Sequence, residues 1–392
     1  MFMSLLFIST VSSTGTATTT IGSSGTIVAT STASPLHVDG NQIKDTNGKT
    51  VYLRGANFFL YSGDPTKIWL TNSGTVVGIN DDWATQTVPA IIQNFDKMKS
   101  YNFNCFRIHT SAQNWLQSPN YVAHMQELAS LAAERGIYVI FDIYCISNAY
   151  PNTCYMPYPP YSSAADVLLI PNEQAFVDLW ALIANAMKNQ PNVLLEVYNE
   201  PVGNYRTDSN WFQTDYNAMM NTHQKCITRI RQITDLPIIV EWGYTIGVEL
   251  AGPWTWAPSV KMNVFADDPR VQGTNIIYTW HWYEGNPQRN QQPLNSVADI
   301  DTYMTFTGLT DVASRKAVLA TELGGVVGNA FALTWMNNAL NALIAKGIGF
   351  ISWVWTAPLM TNHGDELIAT GPNFVLTDKG SILTQKTLSI TN

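Results

Sequence analysis

A chain of 392 residues with 21 Lys+Arg against 29 Asp+Glu carries a net charge of -8, and no basic run in it could track a phosphate backbone, which argues against nucleic acid as a partner. Hydrophobic residues make up 46% of the chain and charged residues only 13%, about half the share of an ordinary soluble domain, so the surface must be polar without being charged. The length suits two average domains or one α/β barrel, which routinely exceeds 250 residues as a single unit.

Residues 2–11 (FMSLLFISTV) form a short apolar run, and a Ser/Thr/Gly-rich tract follows through Ser34. The run is too short for a membrane span and lacks a basic start, so residues 1–34 are expected to be an atypical export signal plus linker, and the protein to be secreted. One catalytic domain is expected over 35–392. It opens with LHVDGNQIKDTNGKTVYLRG, in which Asp39-Gly40 and Asn47-Gly48 are strong turn signals, so a short β-hairpin is expected ahead of the main domain.

From there apolar, β-rich segments alternate with helical patterns. Candidate strands run over 51–59, 103–109, 137–143, 193–198, 237–241, 275–281, 317–321 and 348–355, with helical periodicity over 87–100, 121–135, 172–188, 211–233 and 330–346. Strands alternating with helices imply a parallel sheet, and runs such as IYVIF and NVLLEV suit strands buried on both faces. Eight of them, with no Gly-rich phosphate loop after the first, predict closure into a (β/α)8 TIM barrel. Two connections, 145–171 and 243–274, are longer than a barrel needs and would lie at the strand C-termini, where barrel active sites sit. The tail from Asn362 shows no helical period and is expected to lie over the surface.

Cys105, Cys145, Cys154 and Cys226 include no C-x-x-C pair, so no metal site is expected; Cys145 and Cys154 could close a loop disulfide, with Cys105 and Cys226 as buried thiols. Two strands end in carboxylates. NVLLEVYNEP places Asn199 and Glu200 at one strand's C-terminal end, and AVLATELGG places Glu322 at another, before two glycines that permit close approach. Glycoside cleavage requires such a pair: one carboxyl protonated to serve the leaving oxygen, one ionised to attack the oxocarbenium-like centre. A separation of roughly 5 Å would give retention of anomeric configuration, and about 6.5–9.5 Å inversion.

At these residues the segment from about Leu36 to Met360 resembles glycoside hydrolase family five, the cellulase and β-mannanase family of the retaining clan. The family's strand-four Asn-Glu-Pro matches Asn199, Glu200 and Pro201, and its strand-seven nucleophile falls on Glu322. Its strand-six His-x-Tyr falls on His281 and Tyr283, its strand-two arginine on Arg107 and its strand-eight Trp on Trp353, with Trp355 as the competing choice. The resemblance implies a retaining endo-β-1,4-glucanase needing no cofactor or metal and acting on a β-linked oligo- or polysaccharide, with Glu200 as acid/base and Glu322 as nucleophile. A β-mannanase, an exo-β-glucosidase and, from a different class, a binding barrel without catalysis are the alternatives.

Roles follow from chemistry at those positions. Asn199 can bond a sugar 2-hydroxyl, Arg107 can hold the nucleophile ionised, and Trp353 offers a flat face to a pyranose. His281 and Tyr283 share a strand face, where the phenol reaches Glu322 and the imidazole the acid/base or the substrate. The family's usual strand-three histidine is replaced by Tyr144 in FDIYCIS, and His109, two residues after Arg107, is a candidate for the missing imidazole. Asp142, Glu196 and Glu241 read as mainly structural, with Glu241 the strongest decoy, and His124 and His223 as ordinary helix residues. Trp115, Trp211, Trp242, Trp254, Trp256 and Trp282 together suggest an extended sugar-stacking cleft.

Overall fold

A computed structural model describes residues 33–59, 67–68, 77–78, 88–117, 119–145, 172–199, 211–242, 261–283, 295–325, 328–355, 367 and 375–390. The chain opens on an antiparallel pair, β1 (His37–Asp39) and β2 (Gln42–Lys44), with Asp39 opposite Gln42 and Gly40 at φ +61, the left-handed conformation that a tight turn needs. A second small pair, β4 (Lys67–Ile68) and β5 (Val77–Gly78), follows β3 (Arg54–Phe59). The remaining strands are β6 (Cys105–Ser111), β7 (Tyr138–Cys145), β8 (Val193–Glu196), β9 (Ile238–Glu241), β10 (Ile276–Tyr283), β11 (Val318–Gly324) and β12 (Gly349–Ser352). With β3 they close one parallel barrel in chain order, β12 pairing β3, as the eight candidate strands predicted.

The two-residue period of a strand explains why these segments are apolar throughout. Val139 and Phe141, Val193 and Leu195, and Ile238 and Val240 face the helices and join the large outer core. Ile140, Leu194, Ile239, Ile277, Leu319 and Ile351 face inward and pack with Leu53 and Cys105 as an apolar floor inside the barrel. One step further along the strands the inward positions turn polar: Asn57, Arg107, Asp142, Glu196, Glu241, Thr279 and Thr321 are all fully buried. The cross-strand register puts Asn57 beside Arg107, His109 beside Asp142 and Asp142 beside Glu196.

The tail departs from expectation. Asp378–Leu388 is a helix, capped by the Thr377 side chain, and the face it buries consists of Lys379, Gly380, Leu383, Thr384 and Thr387. With a single large apolar residue in that stripe, no 3.6-residue hydrophobic period could announce it. Polar bonds anchor it instead: Thr387 Oγ1 donates to Tyr101 O at 2.7 Å, Asn102 Nδ2 donates to Thr387 O at 2.7 Å, and Lys379 Nζ donates to Trp353 O. Cys105 and Cys226 are buried free thiols; the Cys145 side chain and Cys154 lie outside the described residues, as does the segment 1–32. Among the described residues, no helix is long and apolar enough to cross a membrane.

Candidate active site

Glu322 is at the C-terminal end of β11, where the ladder to β10 skips a residue: Trp280 faces Ala320, but His281 faces Glu322. Thr321 is the extra residue of this bulge. It points inward, its hydroxyl donating to Glu196 Oε1 at 2.9 Å, and the bulge turns Glu322 into the same mouth instead of outward with Ala320. Asn57 secures the turn, its amide donating to Thr321 O at 3.0 Å while its carbonyl accepts from Arg107 Nη1 at 3.0 Å.

Each oxygen of the Glu322 carboxylate has two polar neighbours. Oε1 accepts from Arg107 Nη1 at 2.8 Å and is 3.4 Å from His109 Nε2; Oε2 accepts from the Tyr283 hydroxyl and is 3.4 Å from His281 Nδ1. Burial works to raise the pKa of Glu322, but His281, the hydrogen bond from His109 and the Arg107 charge outweigh it and hold this carboxyl well below the ordinary range. A carboxylate kept ionised at a barrel mouth, 4% exposed and bracketed by donors, is equipped to act as a nucleophile. Gly324 completes the arrangement, since a Cβ there would come within 2.4 Å of Tyr283 Cε1.

Arg107 organises the layer beneath. It binds Glu196 through Nε at 2.6 Å and Nη2 at 3.1 Å, and Nη2 also reaches Asn199 Oδ1 at 2.9 Å and Asp142 Oδ2 at 2.7 Å. A guanidinium can only donate, so it fixes the Asn199 amide with oxygen toward Arg107 and leaves the NH2 group as the end that can meet a sugar hydroxyl. The chain delivers Asn199 inward because the two residues before it are fastened outward: Trp180 Nε1 donates to Val197 O at 3.0 Å, and Tyr198 stacks on Phe176 with centroids 4.4 Å apart. Glu200, the next residue, lies outside the described residues, so its separation from Glu322 is not part of this geometry.

Of the expected site residues, Arg107, His109, Asn199, His281, Tyr283, Glu322 and Trp353 come together. Trp353 is 8% exposed with its ring centroid 5.0 Å from that of His109, whereas Trp355 is buried between Phe58 and Phe103 and bonds Asn94; Trp353 is therefore the residue that faces the site. His281 lies between Glu322 and Glu241, its Nδ1 3.4 Å from Glu322 Oε2 and 3.5 Å from Glu241 Oε1, while Glu200, the partner expected for its imidazole, lies outside the described residues. His109 likewise stands against Glu322. Tyr144 occupies the penultimate position of β7, and its side chain lies outside the described residues.

Asp142, Glu196 and Glu241 prove to be contacts of the site's basic groups. The signal for them was available, since each is a carboxylate at an inward position of a strand whose other inward residues are apolar. Among the described residues, donor atoms of Glu196, Glu241 and His281 lie within 4.8 Å of one another, but both Glu196 oxygens already accept from Arg107 and one also from Thr321, so a cation would have to displace that network. Trp115, Trp242 and Trp282 are buried, which removes them from the sugar-stacking group; Trp282 alternates outward between His281 and Tyr283 and packs on Tyr303 and Trp335. Trp254, Trp256 and the Trp211 side chain lie outside the described residues.

Residues 61–358 match the sequence model of the cellulase family, glycosyl hydrolase family 5. The chain belongs to this family. Its curated relatives include Endoglucanase N of Pectobacterium atrosepticum, 22% identical over 280 residues that cover 69% of this chain and 49% of the relative. A mannan endo-1,4-beta-mannosidase of Cellvibrio japonicus is 22% identical over 374 residues, covering 93% of this chain and 69% of that protein. The chain thus spans about half the length of the first of these relatives. The β-glucanase of Saccharophagus degradans, solved in complex with cellotetraose, shares the barrel fold of this family 5 chain, with a TM-score of 0.62 and 20% identity, covering 91% of this chain and 94% of that one.

Proposed function

We propose that this family 5 chain is a retaining glycoside hydrolase that cleaves internal β-1,4 bonds of a glucan by double displacement, with Glu322 as nucleophile and Glu200 as acid/base. The observation that carries the reading is the Glu322 carboxylate, held ionised with Arg107 and Tyr283 donating to its two oxygens. In the first step a Glu322 oxygen attacks the anomeric carbon while Glu200 protonates the departing glycosidic oxygen; in the second, Glu200 takes a proton from water, which displaces Glu322. In this reading Asn199 bonds the 2-hydroxyl and Trp353 supports the ring at the cleavage point. Export is part of the proposal, supported by the apolar run over 2–11 and the low charge content.

The mannosidase relative favours a second reading, endo-cleavage of a β-mannan by the same chemistry. Reducing-end release from carboxymethylcellulose and from mannan separates the two, and the anomer first released, followed by NMR, tests retention. The expected result is β-product from glucan. Absence of turnover on every β-glycan overturns the reading, as does full activity in Glu322→Gln.

A further inference from the structure

Arg107 and Tyr283 suffice to give each oxygen of Glu322 a donor, yet a second buried unit is built against the same carboxylate. His109 Nδ1 is 2.6 Å from Asp142 Oδ2, and its Nε2 is 3.4 Å from Glu322 Oε1 and 3.3 Å from Arg107 Nη1. The imidazole is boxed in on its remaining sides: Trp353 packs at 5.0 Å between centroids, and the Asp142 partner is itself fixed, its Oδ1 accepting from Thr110 N at 3.3 Å and its main-chain oxygen from the Thr110 hydroxyl. His109 and Asp142 are opposite one another on adjacent strands, at 1% and 0% exposure. Nothing in the double-displacement scheme assigns them a task.

We propose that Asp142 and His109 form one positioning unit for the nucleophile, in which Asp142 holds the imidazole through Nδ1 so that Nε2 supports the charge on Glu322 Oε1. This rests on the reading of Glu322 given above. The physical reason is charge. Four carboxylates are buried here among the described residues: Asp142, Glu196 and Glu322 pair with the Arg107 guanidinium, and Glu241 faces His281, with Tyr283 also facing in from β10. A further cation beside Glu322 offsets that excess, and a carboxylate on the far nitrogen favours the protonated imidazole that can supply it. Burial works against the protonated ring and Arg107 adds to that, but Asp142 and Glu322 prevail, and the pKa of His109 is raised. When Glu322 becomes a glycosyl ester its charge is lost, and with it part of the support for that proton; the unit therefore favours the ionised carboxylate both before attack and as it departs.

The test compares His109→Asn, Asp142→Asn and the double variant by the acidic limb of kcat/KM on an aryl β-cellobioside, with melting curves for foldedness. Each single change should move the limb upward by about one pH unit, the lower end of what an adjacent opposite charge does, and the double should move it no further than either. An unmoved limb in folded variants, or additive shifts in the double, overturns the proposal. A measurement that needs no turnover stands beside it: the NMR titration of the His109 ring in parent and in Glu322→Gln. The ring should lose its proton at lower pH in Glu322→Gln, and an unchanged titration overturns the proposal even in an inactive protein. A parent that cleaves no β-glycoside but shows the shifted titration would instead remove the glycosidase reading and leave the unit standing.

Discussion

Arg107 grips Glu196 with two parallel hydrogen bonds, Nε to Oε2 at 2.6 Å and Nη2 to Oε1 at 3.1 Å, and this grip decides which of its nitrogens is left to face Glu322. Breaking a buried ion pair from one side leaves an uncompensated charge and costs about 3–5 kcal/mol. In Glu196→Gln, Asp142 and Glu322 still partner the guanidinium, so the expected loss of stability in urea is at the lower end, about 3 kcal/mol. kcat should fall with it as Nη1 leaves its 2.8 Å contact. Parent-like stability and kcat would show that Glu196 does not orient Arg107.

Tyr283→Phe removes the hydroxyl that donates to Glu322 Oε2 and little else. A hydrogen bond to a charged group is worth about 1.5–3 kcal/mol, so kcat/KM at neutral pH should fall roughly 10- to 150-fold. Because that bond favours the ionised carboxylate, the acidic limb should also move up. In the parent the limb should lie below the ordinary carboxylate value of 4.5, since Glu322 is held down. A parent limb at or above that value would contradict the role proposed for Glu322.

Gly324→Ala tests how closely the site is fitted. The new methyl would come within 2.4 Å of the Tyr283 ring edge, forcing the ring or strand β11 to shift. Overpacking of this kind costs about 1–3 kcal/mol. The stability loss should be accompanied by a fall in kcat, because the displaced ring carries the donor to Glu322. Lost stability with unchanged kcat would show that the ring moves without taking its hydroxyl away.

Stability at low pH should depend on a residue far from the chemistry. His223 is fully buried, its Nδ1 3.0 Å from Met219 O, and burial lowers its pKa from 6.5 to about 4 against the raising effect of that bond. A base whose folded pKa is depressed contributes stability that is present above 6.5 and is lost as the pH falls through about 4. The full effect is on the order of 3 kcal/mol. His223→Gln should be less stable at neutral pH but lose less between pH 7 and pH 4 in urea titrations. An identical loss in both proteins would exclude His223 as its source.

Lys379→Met keeps the aliphatic stem and removes the donor to Trp353 O. An unsatisfied buried carbonyl costs about 1–3 kcal/mol, so melting should drop accordingly. If the C-terminal helix steadies the Trp353 platform, KM for oligosaccharides should rise more than kcat falls; an unchanged KM would limit Lys379 to stability.

The alternation of eight apolar strands with helices made the barrel legible from the chain, because strands buried on both faces carry an uninterrupted apolar run. Glu322 at a strand end, with Arg107, His281 and Tyr283 at matching positions, made these members of the cluster legible as well; Glu200 lies outside the described residues. Asp142, Glu196 and Glu241 read as structural although their inward strand positions marked them as buried carboxylates, because that pattern does not say which basic group each one meets. The aromatic cleft was overcounted, since Trp282 belongs to the outward parity of the strand whose inward residues are His281 and Tyr283.

What the chain could not express was decided by register. Alternation along β11 would send Thr321 inward and Glu322 out; the bulge against β10 turns both into the barrel, and only strand pairing reveals it. Contacts of Arg107 and Tyr283 with Glu322 were expected, but register decides which oxygen each meets, with β6 on Oε1 and β10 on Oε2. Residues 215 and 39 positions away along the chain meet there because a closed parallel barrel gathers its strand ends at one mouth. Local pattern thus determined the barrel and the candidate list, while barrel closure and one shifted residue determined which groups touch and so how Glu322 stays charged.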